Sequence, residues 1–196
     1  KKSIPELRLF LIKRGLWLIA VELLLVTFAW SFDPAYHVFF LQVIWAIGIS
    51  MVLLGLVISL SINTIMVLGA LILLGHNLLD VEGVARIPVN HFGWDLTLRG
   101  AFNYYPINDS RGLIVVYAFM PWTGLMFLGY GFGRLYLQGV DQVLRRRRLL
   151  QAGLSMIAVF VLLRLANVYG DPAPWSVQPR GAWFTVLSFV NTTKYP

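Results

Sequence analysis

The sequence has no cysteine and little charge. Without a thiol there is no disulfide and no thiolate metal site, and the redox compartment stays open. No metal centre is expected. Asp, Glu, Lys and Arg make up 13% of the 196 residues, where a soluble domain carries roughly 25%. Acidic residues are the scarcer sign, nine beside 16 Lys and Arg, for a net charge of +7. A basic balance can point to nucleic acid. Here the positive residues stand in patches beside apolar runs, which is the pattern of membrane topology, so no nucleic-acid partner is expected. There is no convincing internal repeat and no low-complexity stretch.

What the chain has is apolar length. Hydrophobic residues make up 58% and the mean hydropathy is +0.73. Five runs, residues 16–32, 38–60, 62–79, 113–137 and 149–169, are long enough for a bilayer, which takes about 20 residues with a range of about 17–25. A sixth starts near Ala182. Ser61 and Asn63 lie where the second run meets the third, so these two form a tight helical hairpin. The expected fold is all-α, a polytopic transmembrane helix bundle with five complete spans plus the start of a sixth. Residues 1–196 form a single transmembrane domain in this reading. The chain starts at Lys1 and stops in the apolar segment AWFTVLSFVNTTKYP. It is therefore expected to be an internal fragment of a larger membrane domain.

Lys and Arg orient the bundle. Lys1, Lys2, Arg8, Lys13 and Arg14 precede the first run, and Arg134 and Arg145 to Arg148 lie between the fourth and fifth. With residue 1 on the cytoplasmic side, all of these fall inside, as the positive-inside rule requires. Arg86, Arg99, Arg111 and Arg180 then fall outside, with Asp33, Asp80, Glu82, Asp95, Asp109 and Asp171. Trp30, Trp94, Trp122 and Trp175 stand near run ends or in outside loops, at the interfacial depth that aromatic side chains prefer.

The third run ends in GHNLLD, residues 75–80. On a continuous helix His76 and Asp80 are i and i+4 and stack on one face. Asn77 lies about 100° round from His76 and joins Asp80 by an i, i+3 step. An imidazole beside a carboxylate can act as a general base on a hydroxyl or amine. The competing reading is helix-end capping and polar contact between helices. A long loop follows over residues 81–112, with a second His-x-x-x-Asp spacing at His91 and Asp95; loops this long are often functional lids.

Two charges interrupt apolar runs: Glu22 in LIAVELLLV and Arg164 in VFVLLRLANVYGD. Intramembrane ionisable groups are costly unless paired and mark function by default. Glu22–Arg164 or Asp80–Arg164 pairs are expected, with Gln42 and Asn167 in the same outer polar cluster. A structural ion pair or a snorkelling arginine is the alternative.

GYGFG, residues 129–133, resembles a phosphate loop but falls within an apolar run and not between a strand and a helix. Gly129 and Gly133 form a small-xxx-small pair that favours close helix packing, and Pro121 is expected to kink that helix. The run Arg145, Arg146, Arg147 and Arg148 is first a topology anchor. Docking of an anionic cofactor or lipid head group is the functional alternative.

Several strings together resemble one family: KRGLWLIAVELLLVTFAW (13–30), QVIWAIGISMVLLG (42–55), LGHNLLD (74–80), MPWTGLMFLGYGFG (120–133), LLRLANVYGDPAPW (162–175) and LSFVNTTKYP (187–196). Their order and spacing are similar to bacterial integral membrane proteins related to the heparan-alpha-glucosaminide N-acetyltransferase catalytic domain. The resemblance implies a transmembrane acetyltransferase in the bacterial inner membrane. Such a protein would carry an acetyl group from cytosolic acetyl-CoA to an extracytoplasmic sugar or glycan acceptor. Arg145 to Arg148 would meet the CoA phosphates, and the cluster around His76 would meet the acceptor.

The family pattern begins with an earlier helix carrying an Asp-x-x-Arg-Gly element and a catalytic histidine, and nothing in residues 1–196 matches it. His76 is therefore expected to support catalysis or line the acceptor side, and the fragment alone is expected to be inactive. A transporter or flippase is the competing class, although the paired broken helices typical of that class are not evident. A non-catalytic structural membrane protein is the third.

Overall fold

The computed structural model describes residues 3–80, 91–169 and 174–192, with residues 79 and 80 as backbone only. The chain divides into two compact units, residues 1–76 with 86–131, and residues 77–85 with 132–196.

The first unit opens with helix α1 (Ile4–Val21). Ser3 and Glu6 start it with a reciprocal capping box. Glu6 Oε2 accepts the Ser3 amide at 2.7 Å, and Ser3 Oγ accepts the Glu6 amide at 3.4 Å. The helix widens into a π turn over Glu22–Val26 and runs on as α2 (Thr27–Ser31). Phe32, in the left-handed conformation, ends it. Strand β1 (Val38–Leu41) then feeds helix α3 (Val43–Val57). Ser61 caps α4 (Ile62–Gly75) by accepting the Thr64 amide at 3.1 Å, so the short α3–α4 connection has the turn former the sequence suggests. A short helix α5 (Phe92–Trp94) with a π turn over Asp95–Arg99 precedes strands β2 (Asn103–Pro106) and β3 (Gly112–Val115). Helix α6 (Met120–Phe132) follows.

Two glycine pairs let helices approach to backbone distance. A Cβ added at Gly15 of α1 would sit 2.5 Å from the Gly48 carbonyl oxygen of α3. One added at Gly69 of α4 would sit 2.8 Å from the Gly124 carbonyl oxygen of α6. Leu54, Ile65 and Phe127 form the core between α3, α4 and α6, and the buried Ser50 and Thr123 hydroxyls meet at 2.9 Å beside it. Among the described residues nothing packs against Gly129 and Gly133, which have open space around them. Pro121 stands in the first turn of α6, where it starts a helix and does not kink one.

The strands form one sheet in the order β1-β3-β2. β1 pairs with β3 in parallel, with Val38 opposite Gly112 and Leu41 opposite Val115. β2 pairs with β3 antiparallel, with Asn103 opposite Val115. An Asx turn closes that hairpin: Asn108 Oδ1 accepts the amides of Ser110 at 3.0 Å and Arg111 at 2.8 Å.

The second unit holds a 3-10 turn (Gly133–Tyr136), the long helix α7 (Gln142–Ala166) and α8 (Ala182–Val190). Asp141 caps α7, accepting the Leu144 amide at 2.9 Å.

The fold is therefore not an all-α bundle of five spans. Among the described residues, α7 alone is long and apolar enough to cross a membrane. α3 and α4 are apolar but have 15 and 14 residues, below the roughly 17 a span requires. The second run loses its start to β1 and the fourth loses its start to β3. VFFL and GLIV are rich in β-branched and aromatic residues, and they pair where a helix was expected. The sixth run is the nine-residue α8.

Candidate functional site

In the first unit the buried polar groups include Glu22, Thr27, Ser50, His76, Asp95 and Thr123. Three of these form sites with defined chemistry.

Glu22 opens the π turn and is fully buried. Its Oε2 accepts the Trp45 amide at 3.0 Å, and the Gln42 and Ile44 amides face the same carboxyl. Gln42 is the N-cap residue of α3, yet its own side chain makes no capping bond. A carboxyl from another helix thus takes the place of a local cap and answers the orphan N–H groups of the first turn. Five residues on, Thr27 Oγ1 accepts the Phe40 amide at 3.2 Å and fixes β1 to the same helix. Gln42 meets the Glu22 carboxyl through its backbone amide. Of the expected Glu22–Arg164 pair, the Glu22 carboxyl is engaged by the α3 amides, and Arg164 belongs to the other unit.

His76 is the C-cap of α4 and is 4% exposed. Its Nδ1 lies 2.8 Å from the Leu73 carbonyl and 3.2 Å from that of Ile72. Both partners only accept, so Nδ1 carries the hydrogen and Nε2 is the basic nitrogen of the neutral ring. The expected stacking of His76 and Asp80 fails at the backbone. Residues His76–Asp80 form a 3-10 turn and not an α-helix. At three residues per turn, Asp80 eclipses Asn77 and lies a third of a turn from His76. The Asp80 side chain is outside the described atoms, and so is any Asp80–Arg164 pair. Asn77 Oδ1 is buried with no hydrogen-bond partner among the described residues.

Asp95 is 1% exposed at the start of its π turn. It accepts Asn103 Nδ2 at 2.6 Å and the Tyr105 hydroxyl. Burial first, and then the hydrogen bond and charge of Asp95, push the Tyr105 phenol up to about 12. His91 does not pair with Asp95. It caps α5, its Nδ1 accepting the Trp94 amide at 3.3 Å. Phe119 connects this region to α3, since its amide donates to the Leu96 carbonyl at 3.1 Å and its ring meets Trp45 edge-on at 6.2 Å.

Asp33 and His37 form a further hydrogen-bonded pair. Asp33 Oδ2 accepts His37 Nδ1 and the His37 amide, each at 2.7 Å. The spacing DPAYH carries the same His/Asp i, i+4 signal, with an Asp-Pro turn start in front. The His37 and Ala35 amides hold the Asp33 carboxyl below its ordinary range.

In the second unit Arg164 is 5% exposed. Nε donates to the Phe189 carbonyl at 2.8 Å, and Nη2 donates to Ser188 at 2.9 Å and Asn191 at 3.0 Å. These are carbonyls at the C-terminal end of α8, where a cation is favoured. Asn167, the left-handed C-cap of α7, clasps Trp175: its Nδ2 donates to the Trp175 carbonyl and its Oδ1 accepts the Trp175 amide, both at 3.0 Å. The Trp175 indole donates to the Arg164 carbonyl at 2.6 Å. Arg164, through its carbonyl, and Asn167, through its side chain, thus both hold Trp175. Arg146, Arg147 and Arg148 are exposed near the start of α7, and Arg145 lies over the Tyr136 ring at 5.6 Å. A groove of about 800 Å³ lies along α8, lined by Gln178, Arg180, Phe184 and Ser188 among others. It is open and contains none of the site residues that the sequence suggested.

No protein-family model, curated protein or solved structure matches the chain. The family resemblance thus stands on the quoted strings alone.

Proposed function

We propose that this chain is a membrane-embedded acyltransferase, moving an acetyl group from cytosolic acetyl-CoA to the amine or hydroxyl of an extracytoplasmic sugar or glycan. The supporting observation is His76, whose ring is fixed by helix carbonyls in one tautomer with Nε2 as its basic nitrogen. That is the form a proton acceptor needs when an amine or hydroxyl attacks a thioester. The acceptor loses a proton, the carbonyl–sulfur bond breaks, and the proton ends on the CoA sulfur. His76 acts on the acceptor side, and the arginines at residues 145–148 receive the CoA phosphates. The bilayer is the first partner. Leu150, Leu154, Ile157 and Leu162 of α7 are each more than half exposed, and lipid covers such a surface at no hydrophobic cost. The location proposed is the bacterial inner membrane.

A second reading, a transporter or flippase, is favoured by the fully buried Glu22, since buried ionisable groups mark ion pathways in such proteins. Reconstituted protein supplied with labelled acetyl-CoA separates the two. Transfer or hydrolysis that falls at least tenfold in a folded His76→Ala variant supports the acyltransferase. Acetyl-CoA left untouched by the wild type sinks it in favour of the transporter.

A further inference from the structure

We propose that Glu22 is a proton-binding site, a buried carboxyl seated on the N-terminus of α3 that takes up and releases a proton without leaving its seat. The proposal is independent of acyl transfer.

The two carboxyl oxygens have different surroundings. Oε2 is held by the Trp45 amide at 3.0 Å. Oε1 is buried and has no hydrogen-bond partner among the described residues. A proton on Oε1 leaves the Oε2 bond to Trp45 intact, so both charge states fit the same geometry. A carboxyl needed only as a cap would engage its oxygens with amides and leave none idle in an apolar interior, where an unsatisfied polar atom costs free energy.

Two forces act on the charge in opposite directions. Burial favours the neutral acid, while the amides and dipole of the α3 N-terminus favour the carboxylate. Among the described residues no side-chain cation is set against the carboxyl. The elements packed against the π turn are α1, α2, β1 and α3. Neither α2, β1 nor α3 contains a titratable or charged residue. On α1 the charged residues are Glu6, Arg8, Lys13 and Arg14, and the nearest, Arg14, is roughly 12 Å away along the axis at 1.5 Å per residue. His37, just before β1, is engaged by Asp33. The π turn starts at Glu22 itself, and such turns are frequent at functional sites.

Infrared difference spectra between acid and alkaline pH, on the protein in lipid nanodiscs, test this. The wild type is expected to show, above the carbonyl band of its water-exposed carboxyls, a titrating stretch at the higher frequency of a protonated carboxyl shielded from water, where ionised carboxylates do not absorb. The band is expected to vanish in Glu22→Gln, whose amide oxygen can still accept the Trp45 N–H, and to move in Glu22→Asp. If Glu22→Gln does not fold, carbon-13 labelling of glutamate carboxyls in the wild type gives the second measurement, and the band must shift. A band that survives Glu22→Gln or ignores the label overturns the proposal. So does a wild type with no titrating band at that higher frequency.

Discussion

Arg164 closes the end of α8 through Phe189, donating Nε to its carbonyl at 2.8 Å while the guanidinium lies over its ring at 6.0 Å. Two further carbonyls, of Ser188 and Asn191, share Nη2. Arg164→Met keeps most of the side-chain length and leaves all three carbonyls without their donor. We expect a loss on the order of 3 kcal/mol, since buried hydrogen bonds to charged groups are the expensive ones to break. Arg164→Lys recovers only part of this, because a point ammonium cannot reproduce the fork. Amide exchange along α8 reads the effect, and unchanged protection in Arg164→Met would show the contacts to be idle.

The glycine contacts predict opposite signs for one kind of substitution. Gly15→Ala would place a methyl 2.5 Å from the Gly48 carbonyl oxygen and force α1 and α3 apart. The cost of such overpacking is about 1–3 kcal/mol. Gly129→Ala meets open space in α6 and is expected to stabilise by roughly 0.5–1 kcal/mol through helix propensity. Thermal unfolding of both variants in one detergent decides it; shifts of the same sign would contradict the packing described.

The Tyr105 phenol is pushed up to about 12 by partial burial and by its bond to Asp95. Removing the Asp95 charge with Asp95→Asn is expected to bring the phenol down toward its ordinary value of about 10. Absorbance titration against Tyr105→Phe isolates this one phenol among the eight tyrosines. The folded value is the raised one. The contribution to stability is therefore complete below the unfolded value of about 10 and is lost as pH rises through the folded one.

Asp33 has the opposite sign. Its folded value is depressed by the His37 and Ala35 amides. The turn is therefore supported above the unfolded value of about 3.9 and opens as pH falls through the folded one. In acid the Ala35 and His37 amides should lose protection ahead of those in α1. Asp33→Ala should expose both amides at neutral pH, and equal protection in that variant would remove Asp33 from the account.

Residues and contacts show which parts of this could be read from the sequence. α7 was legible because the apolar stretch of residues 149–169 carries a single charge, Arg164. The α3–α4 turn was legible because Ser61 is a good N-cap. The strands were not. A short apolar run such as VFFL has no periodicity that distinguishes a buried strand from a helix end, and its partner GLIV lies far along the chain. GHNLLD misled because the i, i+4 relation presupposes α geometry, and the turn there is 3-10. Glu22 was singled out as a costly buried charge. Its partner was missed because backbone amides at a helix start leave no mark in the side-chain sequence. The Asp95 cluster was half seen: the residue was noted, but its partners Asn103 and Tyr105 come from a strand that the reading did not contain.

The parallel pairing of β1 with β3 sets an order of events during folding. β2 and β3 are neighbours in sequence and can zip together as soon as both exist, because the intervening loop is short. β1 must wait, since its partner emerges from the ribosome only after α3, α4 and the long connection have been made. Until then Val38 to Leu41 is an apolar strand with no neighbour on the side β3 will occupy. Such an edge is open to pairing with another chain. Slow or interrupted synthesis between residues 42 and 112 should therefore raise the yield of aggregated product. A silent slow codon placed far enough beyond residue 115 for β3 to have left the ribosome should not.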